Sequence, residues 1–234
     1  KRCGMTASLF YFEMYQSFDK ITVKSYLKEI IMSKFDEMIT VVPRTILFNN
    51  EKNQFNGFLS NNGQKGSEIF ETLSQYEVKR RGDMEEDPTY KQLISYCLLQ
   101  NEEGQILVYD RLSGGGESRL HGQSSIGVGG HMNDIVGAAS INEVLRINAQ
   151  RELEEEIGLS EQKTQNLQYI GFINDDTNEV GEVHLGVVFK ITVDSKDVEV
   201  KETDTLKIKW VEQGSIENYD DFETWSALIL EALQ

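Results

Sequence analysis

The run from Ile141 to Ile157 constrains this chain more than any other part of it. Ser140-Ile141-Asn142-Glu143 has the form of a capping box, in which the serine and glutamate side chains satisfy amide groups at a helix start. Leu145, Ala149, Leu153 and Ile157 follow at four-residue spacing and make one apolar face, and Gly158 stands where a helix stops. The spacing predicts an amphipathic helix that must dock on a core. Glu152, Glu155 and Glu156, at i, i+3 and i+4, share a second face, with Arg151 and Glu154 beside them. Like charges so close cost a few tenths of a kcal/mol per pair unless a cation offsets them. Arg151 supplies one positive charge, and clustered carboxylate oxygens would suit Mg2+, Mn2+ or Ca2+ rather than a thiolate-seeking metal. On these residues alone a solvated acidic face explains the pattern equally well. Just upstream, Ile126-Gly127-Val128-Gly129-Gly130-His131 sets closely spaced glycines after a short apolar stretch, where the backbone turns tightly and approaches its neighbours.

The 234 residues suffice for one large domain or two small ones, and the 39% hydrophobic content suffices for a core. A formal net charge of -16, from 23 basic and 39 acidic residues, excludes a protein that holds nucleic acid or anionic lipid through lysine and arginine. No stretch approaches the roughly 20 apolar residues of a membrane span. The two cysteines, Cys3 and Cys97, do not suggest a disulfide framework, and Cys97 lies in the apolar run Leu93–Leu99 as a buried thiol. These features together read as a cytoplasmic protein.

Along the rest of the chain, Val23, Tyr26, Leu27, Ile30, Ile31, Phe35 and Met38 mark an amphipathic leader helix, whose apolar stripe suggests docking on the main body or a homodimer. Val41 to Phe48 reads as a strand, and Glu51 to Gly66 as part of a hairpin. The charged stretch Lys79–Pro88 is the expected seam. Strands are expected at Leu93–Gln100, Gln105–Tyr109, Tyr169–Ile173, Val183–Val193 and Leu206–Val211, and a second helix at Phe222–Leu233. The expected organisation is a leader at 1–40, a hairpin extension at 41–90 and a principal domain at 91–234.

Gly137, Glu143, Arg151-Glu152-Leu153, Glu155-Glu156 and Gly158-Leu159 match, without a gap, the pattern G-x5-E-x7-R-E-U-x-E-E-x-G-U of the Nudix box, where U is aliphatic. With this chain's residue frequencies, a chance match is on the order of 10⁻⁷ to 10⁻⁶. The segment from Lys91 to Gln234 thus resembles the Nudix hydrolase superfamily. Within it, Arg119-Leu120-His121-Gly122, Ser125–His131 and the Trp225 helix are similar to a branch of predicted phosphoesterases of MutT type. The resemblance implies an α/β (α+β) Nudix fold, a mixed β-sheet sandwiched between helices, here with an N-terminal helical and hairpin extension.

It also implies a divalent cation, Mg2+ or Mn2+, held by Glu152, Glu155 and Glu156, with the carbonyl of Gly130 completing the shell. Arg151 would orient the acids, and Glu143 would assist at the helix start, although its capping geometry explains it without metal. The general base of such enzymes often lies on a later loop. Glu182, in Asn174–His184 between two strands, is the candidate base or further metal ligand, with a box glutamate, Glu155 or Glu156, as the other candidate base and a solvent-exposed hairpin as the competing reading of the segment; alternation would put Glu182 on one face with His184. Arg111, Arg119 and His121, around the glycine tip Gly114–Gly116, are candidates for binding substrate phosphate or ribose.

The implied activity is Mg2+-dependent hydrolysis of a diphosphate in a nucleoside diphosphate linked to another moiety, or in a related small phosphorylated molecule. Two other classes use the same fold. One is a non-catalytic ligand-sensing or interaction domain, against which the complete set of box glutamates counts. The other is isopentenyl diphosphate isomerisation, which needs a cysteine that the glycine turn lacks.

Overall fold

A computed structural model of the chain describes residues 34–111, 123–199 and 206–233. In chain order its principal elements are β1 (Met38–Pro43), α1 (Arg44–Leu47), β2 (Gly57–Ser60), α2 (Gln64–Thr72), β3 (Glu77–Arg80), α3 (Arg81–Met84), β4 (Tyr90–Gln100) and β5 (Ile106–Arg111). They continue with β6 (Ser124–Ser125), β7 (Gly127–Val128), α4 (Ile141–Ile157), β8 (Gln168–Asn174), α5 (Glu179–Val183), β9 (His184–Thr192), β10 (Leu206–Val211) and α6 (Thr224–Ala232).

The strands form one mixed sheet in the order β10-β5-β4-β9-β8-β2, with β1, β6 and β7 attached along β4 and β5, and β3 on β1. Its centre is the parallel pair β4–β9, Gln92 opposite His184 through Gln100 opposite Thr192. The middle of each strand is apolar, as burial on both faces requires, whereas Lys91 and Gln92 at the start of β4 and His184 at the start of β9 are buried polar residues that must find partners. On β4, Leu93, Cys97 and Leu99 face one cluster with Leu145, Ala149, Leu153 and Ile157 of α4; Tyr96 and Leu98 face the other with Ile229 and Leu230 of α6. The helices therefore lie on opposite faces, which is the α/β sandwich expected from sequence. Each large apolar side chain that α4 buries contributes roughly 2 kcal/mol.

Residues 34–90 differ most from expectation. The predicted strand Val41–Phe48 is β1 as far as Pro43 and then α1, because proline has no amide with which to continue the ladder. The predicted hairpin over Glu51–Gly66 is instead β2, paired with β8 from Gly57 opposite Asn174 to Ser60 opposite Gly171, followed by α2. Its partner is distant in sequence, so no local turn signal marks it. The expected seam Lys79–Pro88 includes the end of β3 and all of α3. Met38 opens β1 rather than ending the leader helix, Phe35 is exposed just before it, and the leader positions from Val23 to Ile31 lie outside the described residues.

Candidate functional site

The helix start is built as its sequence predicts. Ser140 accepts from the Glu143 amide, and Glu143 Oε2 in turn accepts from the Ala139 amide at 2.8 Å. Glu143 is thus engaged as a cap. Gly158 ends α4 in the left-handed conformation, φ 72°, which glycine adopts without strain. A polar residue absent from the sequence prediction anchors the approach loop: Asn148, fully buried, accepts from the Asn133 amide at 2.8 Å and donates to the Asn133 and Val144 carbonyls, both at 2.9 Å. Its only sequence signal is a polar side chain next to the apolar stripe.

The glycine turn passes directly under the acids. Gly130 pairs with β4, its carbonyl accepting from the Ser95 amide at 2.9 Å and from Ser95 Oγ at 3.3 Å. A Cβ on Gly130 would lie 2.8–2.9 Å from three atoms of the Glu152 carboxyl group, so only glycine leaves that side chain its place. Gly129 has no freedom either, since a Cβ there would collide with the Ser95 carbonyl oxygen.

Glu152 is 8% exposed, and burial holds its carboxyl above the usual range against the opposing charge of Arg151. Arg151 meets Glu152 at 2.8 Å and Glu155 at 3.1 Å, and donates to the His131 carbonyl at 2.9 Å. One guanidinium thus joins two of the acids to the glycine turn. Glu155 is largely exposed and Glu156 half-buried. Beneath them Cys97 is wholly buried, and burial together with Glu152 and Glu156 pushes its thiol far up, so it stays protonated and unreactive.

The carboxylates fit a divalent cation by type and by placement on one helix face. Glu152 is the desolvated member of the three, its carboxyl packed where a Cβ on Gly130 would lie. Among the described residues no three His, Cys, Asp or Glu side chains stand close enough to hold a metal as they are. Glu155 is turned to Arg151, so the acids must rearrange for all three to share one ion.

Glu182 does not lie on a strand face. It sits exposed in α5, while His184, the first residue of β9, is buried. His184 Nδ1 contacts the Val180 carbonyl at 2.7 Å and its Nε2 lies 3.2 Å from His131 Nε2, which also meets Gln92 Oε1 at 2.9 Å. Burial lowers both imidazoles and holds them neutral. The His131–His184 contact ties the α5 turn to the glycine turn below Glu152. Arg119 and His121 lie outside the described residues; Arg111 is described only by its backbone, at the end of β5. Two shallow cavities of about 200 and 210 Å³, one lined by Val108, Lys209 and Phe222 and the other by Gln100, Asn166 and Lys190, include none of the acids.

A profile of the NUDIX domain matches residues 91–233, well over half the chain. The chain belongs to the Nudix hydrolase family. Within this family it is 42% identical, over 207 residues, to Protein YmaB of Bacillus subtilis (strain 168), spanning 87% of this chain and all of YmaB. The crystal structure of Tm1382, a candidate Nudix hydrolase, superposes with a TM-score of 0.65 at 28% identity, covering 84% of this chain and 98% of Tm1382. The MutT protein of Methanosarcina mazei Go1 is 22% identical with a TM-score of 0.43, covering 60% and 88% of the two chains. Nudix hydrolases as a family use divalent metals such as Mg2+.

Sequence reasoning missed a second group of residues beside this Nudix site. Lys91, at the start of β4, is wholly buried and paired to Asp176, which also meets Arg44. Burial pulls the Lys91 ammonium down to about 8 against the pull of Asp176, which leaves it charged at neutral pH. Burial raises Asp176, but hydrogen bonds from Arg44, Lys91 and Gln54 outweigh it and hold the carboxyl well below the usual range. A lone lysine opening an apolar strand was the only sequence signal.

Proposed function

We propose that this Nudix hydrolase cleaves, with Mg2+, the diphosphate of a small nucleotide-derived molecule, a nucleoside diphosphate linked to another moiety. The observation that carries the reading is Glu152, desolvated between Gly130 and Arg151, with Glu155 and Glu156 on the next turn of the same helix. Glu152, Glu155 and Glu156 would hold the cation, and Mn2+ would serve in its place. The bound ion supplies charge screening of the diphosphate and polarisation of the phosphorus.

Arg151 keeps Glu152 and Glu155 aligned between turnovers. Gly130 contributes by its missing side chain; its carbonyl, already engaged by Ser95, would complete the metal shell only by yielding one of those bonds. Glu182, exposed on α5, accepts the proton of the attacking water as that oxygen bonds to phosphorus and the bridging oxygen leaves with the other phosphate. Arg111, Arg119 and His121 would meet substrate phosphate or ribose.

The test is a panel of nucleotide sugars, dinucleotide polyphosphates, oxidised nucleoside triphosphates and coenzymes, scored for phosphate release with Mg2+ and with EDTA. Turnover that EDTA abolishes is the expected result. No turnover of any member, together with no calorimetric Mg2+ site of millimolar or tighter affinity, would instead point to a ligand-sensing domain.

A further inference from the structure

An ion cluster centred on buried Lys91, with Asp176 and Arg44 partly buried around it, lies behind the turn that carries Glu182, and the hydrolysis outlined above makes no use of it. Lys91 Nζ donates to Asp176 Oδ1 at 2.6 Å, to the Gly181 carbonyl at 2.7 Å and to the His184 carbonyl at 3.3 Å. Gly181 and His184 bracket Glu182 and Val183, so a single ammonium grips the backbone on both sides of the exposed glutamate. The turn itself packs closely: a Cβ on Gly181 would collide with the Asp175 carbonyl oxygen.

Asp176 passes the constraint to the N-terminal segment. Its carboxylate accepts from Arg44 Nη2 at 2.7 Å and Gln54 Nε2 at 3.1 Å, and its amide donates to Asn56 Oδ1 at 3.0 Å. Arg44 also makes a two-pronged pair with Glu51, at 3.0 and 2.9 Å. Glu51 is the last of three consecutive residues, Asn49, Asn50 and Glu51, with φ of 48°, 53° and 66°. Side chains with a Cβ rarely adopt that region, and a run of them persists only where its surroundings over-determine it.

Buried ion pairs add little net stability compared with apolar residues of the same volume, and their better-attested use is to select one arrangement. Here the arrangement selected is the α5 turn. Its far end, at His184, meets His131, the neighbour of the glycine that abuts Glu152.

We propose that Lys91, Asp176 and Arg44 are positioning residues for Glu182, the segment from Arg44 to Asn56 acting as a clasp that fixes the α5 turn on β4 and, through His184 and His131, relative to the glycine turn. The proposal rests on the reading of Glu182 as the proton acceptor.

The experiment is a double-mutant cycle in the full chain. Lys91→Met and Glu182→Gln are made singly and together, and kcat and KM are measured in Mg2+ on the panel compound that the wild type hydrolyses fastest. Amide hydrogen exchange is followed at Glu182 and His184. Lys91→Met is expected to lower kcat at least about tenfold with KM changed less than about twofold, to accelerate exchange at both amides, and to have no further effect on kcat once Glu182 is glutamine. Equal losses of kcat from Lys91→Met with and without Glu182, or unchanged kcat and exchange, would overturn the proposal. Full turnover by Glu182→Gln alone, with faster exchange in Lys91→Met, would overturn the proton-acceptor reading and leave the clasp standing as a device that only orders the turn. Asp176→Asn replaces Lys91→Met in the cycle if the latter does not fold.

Discussion

Among single residues Gly130 and Glu152 are the pair on which the proposed site rests, because one has no side chain where the other needs room. Gly130→Ala should leave the circular dichroism spectrum unchanged and weaken Mg2+ binding at least about tenfold by calorimetry, since the added methyl meets a buried carboxylate that cannot move into solvent freely. Unchanged affinity would place the cation away from Glu152. Asp176 makes a prediction in pH. Its folded carboxyl sits below the unfolded value of about 4, so it contributes stability above that pH, and the contribution is lost as pH falls through the folded value. Asp176→Asn should therefore cost about 1–2 kcal/mol at pH 7, less than a fully buried pair because solvent partly screens it, and the gap to the wild type should narrow in denaturant titrations as pH falls from 4. A constant gap down to pH 2 would contradict the ion-pair assignment.

The elements divide sharply into those legible in sequence and those not. The helix from Ile141 to Ile157 was legible to the residue, because cap, apolar period and terminal glycine agree. Ser140→Ala should lower stability by about 1 kcal/mol through the lost bond to the Glu143 amide, as measured by chemical denaturation, and a loss below a few tenths would show the cap to be redundant. The strand Leu206–Val211 was read to the residue because its apolar and lysine residues alternate, and β8 and β9 within a residue or so because short apolar runs of strand length have few alternatives. The stretch from Arg44 to Ser60 was not legible. Its short helix, left-handed turn and strand β2 are dictated by Asp176 and β8, more than a hundred positions away. The site divides in the same way: Glu152, Glu155, Glu156 and Arg151 follow from spacing along one helix, whereas Asn148, Lys91 and the His131–His184 contact exist only once β4, β9 and α5 have come together.

Across the whole molecule, the net charge of -16 and the presence of an anion-cleaving site are compatible because the two functions of charge are separated. Four glutamates fall in the stretch from Glu152 to Glu156, and a divalent ion held among them would offset part of the negative field that a diphosphate meets. The NUDIX match begins at residue 91, yet β1, β2 and β3 belong to the same sheet, and Arg44 and Gln54 hold the loop that precedes Glu182. Among the described residues no helix is long and apolar enough to cross a membrane. The central claim is that Glu152 turns this acidic helix face into the hydrolytic centre. The most direct test compares wild type and Glu152→Gln for Mg2+-dependent phosphate release on the panel compound that the wild type turns over fastest. The account predicts at least about a hundredfold loss of kcat/KM with the fold intact, whereas equal turnover by the two proteins would contradict it.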